Sequence, residues 1–306
     1  MARVFKADAS FNRQMLQGAS CVFGVFDGVH KGHQYLISQA KETAAENGGE
    51  VVALTFDVDP DELFRADALK KLMTNQERIQ ALCNAGVDAV VVLPFTREFA
   101  AQPPDEFLAA TFGDAAPFAI HVGEDFRFGA KAAGSVEDLK AWFQSKGTRV
   151  CGHRLKCAEG QSITATRIRG LLAQAELDAA NELLGRPYAF SGVVQPGRGE
   201  GAGMGFATAN LELPVMMQVL AEGVYAAYVT VGQARYKAAV NVGVARTFAD
   251  ATATCEAHIL DFQGEIYGET IQVEPVKFLR PVMAFPSVEQ LIATVKDNIE
   301  WVRANL

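Results

Sequence analysis

The chain has 306 residues, long enough for two domains, with a hydrophobic fraction of 49% and a charged fraction of 21% that are ordinary for a globular protein. A net charge of −8 argues against nucleic-acid binding through the overall field. The opening "MARVFKADAS" has no apolar h-region, and "AVVVLPF" is too short to span a bilayer, so a cytoplasmic protein without membrane contact is expected. Cys21, Cys83, Cys151, Cys157 and Cys255 form no CxxC pair. That pattern fits reduced thiols better than a disulfide framework or a zinc site.

In chain order, strands are expected at 20–26, 51–56, 89–93, 118–122 and 149–155, with helices near 31–47, 74–85, 104–112 and 136–146 between them. "TNQE" at Thr74 and "SVED" at Ser135 read as capping boxes. Continuous apolar strands alternating with helices imply an α/β fold with a parallel sheet covered on both faces. One further helix is expected over 164–184, ending at Gly185. Beyond it, "AFSGVV", "GVYAAYVTVG", "RYKAAVNVG", "TCEAHILDF" and "IYGETIQVEPVKFL" are strand-like without intervening helices. They suggest a small antiparallel barrel, followed by a last helix from Ser287 to about Ala304. The boundary is placed so that residues 1–186 form one domain and 187–306 the other.

Two stretches carry chemistry. "CVFGVFDGVHKGHQYLI" runs from a strand through a glycine turn into a helix. That geometry aims free N–H groups at an anion, and Gly28 and Gly32 permit its close approach. His30 and His33 stand where each can donate to phosphate, although an isolated HxxH is more often a buried or surface histidine pair. No third ligand nearby supports a metal there, and no GxxxxGK[ST] loop occurs. The second stretch, "PGRGEGAGMGFATAN", is glycine-dense. It suits a loop over phosphates or a plain linker, and it lacks a strict GxGxxG.

"GVFDGVHKGH" resembles the signature of the HxGH nucleotidyltransferases, and within them the prokaryotic bifunctional riboflavin kinase/FAD synthetase family. The resemblance extends in order through "LTFDVDP", "VGEDFRFG", "ITATRIRGLL", "LLGRPY", "GMGFATANL", "EAHILDF", "YGETI" and "FLRP". It implies a Rossmann-like FMN adenylyltransferase half and a barrel-shaped riboflavin kinase half with a C-terminal helix. Riboflavin, FMN, FAD and ATP would be substrates or products, with Mg²⁺ as cofactor. By the same resemblance His30, His33 and Arg167 act in adenylyl transfer. Gly24, Phe26, Asp27, Gly28, Asp125, Thr166 and Arg169 would contact nucleotide or flavin. Asp27 is equally open to a capping role, Arg167 and Arg169 to an exposed helix face, and Phe126 and Phe128 read as packing residues. In the kinase half, Gly197 and Gly205 belong to the phosphate loop, Thr208 and Asn210 would hold Mg²⁺ and phosphate, and Glu256 would be the base.

The chain departs from the family pattern at several positions. Asp59 stands where a histidine is usual, and Thr164 and Ala165 stand where two serines are common. Ala202 replaces an arginine and Ala207 a proline, Ala245 and Arg246 replace an arginine–proline pair, and "VVQPG" lacks a histidine. These changes keep open an alternative, an FAD synthetase whose barrel only binds flavin or stabilises the fold. A flavin-binding regulator without catalysis is a further alternative, against which the intact "GVFDGVHKGH" and "TRIR" speak.

Overall fold

Short apolar strands buried on both faces dominate the first half, and they assemble into one sheet. The computed structural model describes residues 2–8, 11–64, 70–197, 206–214, 216–218, 220–245 and 252–306. Strands β1 (Arg3–Lys6), β2 (Ser20–Phe23), β3 (Val51–Phe56), β4 (Ala89–Leu93), β5 (Ala119–Gly123) and β6 (Arg149–His153) pair in the order β1-β4-β3-β2-β5-β6. Every pairing is parallel. Alternation splits each strand between two cores. Cys21 and Phe23 pack with Leu54, Ile120, Phe107 and Phe143, while Val22 packs on the opposite face with Ala53, Ile37 and Leu82. Helices α1 (Lys31–Asn47), α2 (Pro60–Phe64), α3 (Asn75–Asn84), α4 (Arg97–Ala100), α5 (Pro104–Phe112) and α6 (Val136–Phe143) connect the strands. Both capping boxes form, Thr74 with Glu77 and Ser135 with Asp138.

Going outward from β2, the chain proceeds through β3 and β4 on one side and through β5 and β6 on the other. The order therefore reverses between β2 and β5. That reversal opens the crevice at the carboxyl ends of the strands where ligands bind in such sheets.

Three expectations are corrected. Strand β2 ends at Phe23 rather than residue 26, because Phe26 is left-handed with φ 61°. The helix over 164–184 is two, α7 (Ala165–Leu172) and α8 (Leu177–Leu184), separated at Ala175 with φ 60°. Leu172 and Leu177 are both buried, and a five-residue spacing would put them about 140° apart on one continuous helix. The break turns both inward. Third, the last two residues of the supposed phosphate loop, Ala209 and Asn210, open a strand, Ala209–Glu212.

After the two-residue hairpin strands β7 (Cys157–Ala158) and β8 (Gln161–Ser162), the second half forms a closed barrel. Its strands are β9 (Phe190–Gln195), β10 (Ala209–Glu212), β11 (Gly223–Val231), β12 (Ala234–Ala245), β13 (Thr252–Ile259) and β14 (Thr270–Arg280), in the order β10-β13-β12-β11-β14-β9. All pairings are antiparallel. Helix α9 (Val288–Asn305) follows, with the Ser287 hydroxyl accepting the Gln290 N–H at 3.3 Å. By packing, the chain forms two units. The first comprises Met1–Leu69 and Met73–Ala165, and the second Lys70–Leu72 and Thr166–Leu306. Helices α7 and α8 thus group with the barrel apart from Ala165.

Candidate functional site

In the first unit, the chain leaves β2 through a turn with three successive departures from ordinary backbone. Phe26 has φ 61°, Gly28 φ 78° and Val29 φ 39°. Glycine accepts such a φ freely, whereas a β-branched valine does not, and strain of this kind costs roughly 1–3 kcal/mol per residue. Neighbouring elements hold the turn in place. Thr55 Oγ1 on β3 donates to the Val25 carbonyl at 3.1 Å, and Gln34 Nε2 donates to the Val29 carbonyl at 2.9 Å. His30 is the N-cap of α1, so His33 lies within the first turn.

The two imidazoles stack, with centroids 3.7 Å apart and planes 18° off parallel. Buried Phe26 meets His33 edge-on, with ring centroids 5.1 Å apart, and its ring lies against Gly24. A Cβ at Gly32 would lie 3.0 Å from the His30 ring, so any side chain there would press that ring aside by a few tenths of an ångström. Burial, and then the charge of His30, hold His33 well below the ordinary histidine pKa. Its Nδ1 is buried without a hydrogen-bond partner among the described residues. His33 is therefore a neutral imidazole in the free protein.

Asp27, in the same turn, is buried. It faces Arg78 of α3, a guanidinium only 2% exposed that donates to the Phe56 carbonyl. Burial lowers the Arg78 pKa, and Asp59, Asp27, Glu62 and Asp57 oppose that shift. Asp59 thus adds a carboxylate to the acidic surroundings of a buried cation. Asp125 is exposed at the carboxyl end of β5, next to β2 in the sheet, and a Cβ at Gly123 would meet its Oδ1 at 2.7 Å. Phe126 and Phe128 pack into the aromatic core, the former 5.1 Å from Phe23.

Thr164 precedes α7. On that helix Arg169 Nη2 donates to Thr166 Oγ1 at 3.0 Å, and Arg167 is half-buried.

In the barrel, register assembles the second group. Asn210 on β10 pairs directly with Glu256 on β13 and, on its other side, with Gln195 on β9. Glu256 also pairs with Asn241 on β12. Opposed residues on antiparallel strands share a face, with Cβ atoms roughly 4.5–5.5 Å apart. Leu211, Cys255 and Ala257 point into the core, so Gln195, Asn210, Glu256 and Asn241 form a row on the other face. Thr208 is exposed just before β10. The preceding Ala207 carbonyl lies 2.9 Å from His258 Nδ1, which therefore carries the proton and donates it. A Cβ at Gly197 would lie 2.7 Å from Asn210 Cγ and closer still to its Nδ2. Ala202, Gly205 and Arg246 fall outside the described residues, and Ala245 is the last residue of β12.

Sequence reasoning did not find Arg78, Thr55, Gln34, Gln195 or Asn241. The first three act on the turn from other elements, and the last two join the row only through register.

Comparison with known proteins follows the same division. A family model described as FAD synthetase matches residues 12–167, and one described as riboflavin kinase matches residues 184–306. Curated relatives named bifunctional riboflavin kinase/FMN adenylyltransferase include one from Haemophilus influenzae, 33% identical and covering 95% of each chain. Another, from Listeria monocytogenes, is 34% identical over 92% of this chain and 90% of its own. A solved structure titled macrolide-efflux protein, from Streptococcus pneumoniae, matches with a TM-score of 0.85 and 31% identity over 99% of both chains. Among the described residues, no helix of this chain is long and apolar enough to cross a membrane. With both models in tandem and such identity over nearly its full length, the chain belongs to the bifunctional riboflavin kinase/FMN adenylyltransferase family.

Proposed function

We propose that this chain phosphorylates riboflavin to FMN and then adenylylates FMN to FAD, each step using ATP. Residues 1–186 are assigned the adenylyl transfer and residues 187–306 the kinase reaction. One observation carries the second activity through the loop departures: Asn210 sits directly opposite Glu256 on the outer barrel face.

In the kinase step, Glu256 takes the proton of the riboflavin 5′-hydroxyl as that oxygen attacks the γ-phosphorus, and ADP leaves. The carboxamide and hydroxyl oxygens of Asn210 and Thr208 are hard donors that fit Mg²⁺, which would neutralise phosphate charge when bound. Gly197 gives Asn210 the space it occupies. In the adenylyl step, an FMN phosphate oxygen attacks the α-phosphorus of ATP and pyrophosphate leaves. This asks mainly for positioning and charge stabilisation. Neutral His33 and its stacked neighbour His30 donate N–H groups toward the triphosphate. Arg167, with Arg169 beside Thr166, supplies planar cationic donors suited to paired phosphate oxygens. Gly24, Phe26, Gly28 and Asp27 shape the turn, and Asp125 faces nucleotide or flavin. All five cysteines are free thiols, which supports a reducing, cytoplasmic setting as part of the same proposal.

The test incubates the protein with riboflavin and MgATP and separates riboflavin, FMN and FAD over time. Wild type is expected to make FMN and then FAD. Glu256→Gln should stop FMN formation while still converting supplied FMN to FAD. Wild type that makes FAD from FMN but no FMN from riboflavin would leave the barrel a binding or structural module.

A further inference from the structure

Away from both groups of residues, neighbouring strands β5 and β6 bring three metal-ligating side chains together. The parallel register sets His121 beside Cys151, and His153, two residues further along β6, shares the face of Cys151. Ligand atoms of all three lie within 4.8 Å of one another. His121 Nδ1 and His153 Nε2 are 2.9 Å apart, and their rings stack with centroids 5.1 Å apart.

The tautomer of His121 follows from its other contact. Thr43 Oγ1 uses its single proton on the Gln39 carbonyl at 2.7 Å. At 3.0 Å from His121 Nε2 it must therefore accept, so Nε2 carries the proton and Nδ1 presents its lone pair to the cluster. A histidine whose second nitrogen is held by an oxygen of the surrounding shell is the arrangement that orients imidazole toward a metal. Two imidazoles and a thiol form a borderline-soft donor set, suited to zinc and poor for Mg²⁺.

We propose that His121, Cys151 and His153 form a Zn²⁺ site, completed by water, that fastens edge strand β6 to β5. On binding, the Cys151 thiol loses its proton to solvent and the His153 proton moves from Nε2 to Nδ1. Sulfur and both inward nitrogens then donate lone pairs to the ion. Tetrahedral zinc with bonds of about 2.0–2.3 Å needs ligand atoms roughly 3.3–3.8 Å apart. The histidine pair must therefore open by about half an ångström and the widest pair close by about one. The bound ion would carry one net positive charge, with Glu46 nearby in its 3.0 Å pair with Arg149.

The full-length protein, stripped with a chelator, is titrated with Co²⁺ as a spectroscopic probe and then with Zn²⁺. One equivalent of Co²⁺ should give tetrahedral visible bands and a thiolate-to-cobalt charge-transfer band. Zn²⁺ should abolish both, and excess Mg²⁺ should leave them unchanged. Cys151→Ser should remove the charge-transfer band, while Cys157→Ser, at an exposed thiol, should retain it. Stoichiometric Zn²⁺ should also shield Cys151 of wild type from alkylation, mapped by mass spectrometry. That measurement decides the matter if the serine variant fails to fold. A wild type without the charge-transfer band, a band that survives Cys151→Ser, or full alkylation of Cys151 under zinc would overturn the site.

Discussion

Gly197→Ala separates the two activities with a single methyl group. Gly197 is exposed and its backbone lies outside the left-handed region, so alanine fits the local conformation. On chain entropy alone the change would stabilise by about 0.4–1 kcal/mol. The new Cβ, however, falls 2.7 Å from Asn210 Cγ, where carbon atoms rest at about 3.5–4.0 Å. Asn210 must therefore move by roughly 1 Å, away from its place opposite Glu256. A displacement of that size in a positioned group costs on the order of 100-fold in rate, or about 2.7 kcal/mol of transition-state stabilisation. FMN formation, followed by chromatography at subsaturating riboflavin, should fall by about that factor. FAD formation from FMN and the thermal midpoint should hold. If Gly197→Ala retains full kinase activity while Asn210→Ala loses it, the close approach of these residues is not what positions Asn210, and the reasoning is refuted.

His33, whose folded pKa is depressed, resists protonation that the unfolded chain accepts near its ordinary value of 6.5. Its contribution to stability is therefore intact above pH 6.5 and declines below it. Urea melts should show His33→Asn reducing the acid-side slope by up to about 1.4 kcal/mol per pH unit, and an unchanged slope would contradict its buried neutral state. Arg78→Met leaves Asp27, Asp57, Asp59 and Glu62 without their buried cation and should destabilise by about 3 kcal/mol in denaturant titration. Adding Asp59→Asn should recover part of the loss, and strict additivity would exclude the coupling. A fragment covering 187–306 should unfold cooperatively but melt below one beginning at residue 164, because α8 buries Leu177, Ala180, Leu183 and Leu184. Equal midpoints would show that α7 and α8 add nothing to the barrel unit.

Local signals made much of the fold legible. Helix α1 has the expected limits because a glycine turn precedes it and Gly48, at φ 66°, ends it. The capping boxes at Thr74 and Ser135 are readable because each closes within four residues. Strand β1 escaped notice because Arg3–Lys6 lies at the sheet edge and is largely exposed, so it carries no apolar run. Strand β10 escaped because four residues with one buried leucine do not establish a period. The histidines were visible as a motif. Their support was not, because Thr55 and Gln34 hold the turn from outside it, and Arg78 faces it from α3. The row on the barrel likewise depends on which residues face each other across three strand pairs, which no local pattern encodes.

Closure of the barrel bears on how the protein could aggregate. A closed barrel offers no free strand edge on which another chain can template, whereas an open sheet must protect its ends. Here the sheet ends at β1 and β6, which carry Arg3, Lys6 and Arg149. The barrel is sealed by β10, which meets each neighbour through three residue pairs. Detachment of β10 would free the edges of both β9 and β13 at once. The strand that carries Asn210 to Glu256 is thus also the one that keeps the second unit from cross-chain pairing. Substitutions that loosen it would surface first as lost solubility on mild heating, before the rest of the barrel melts.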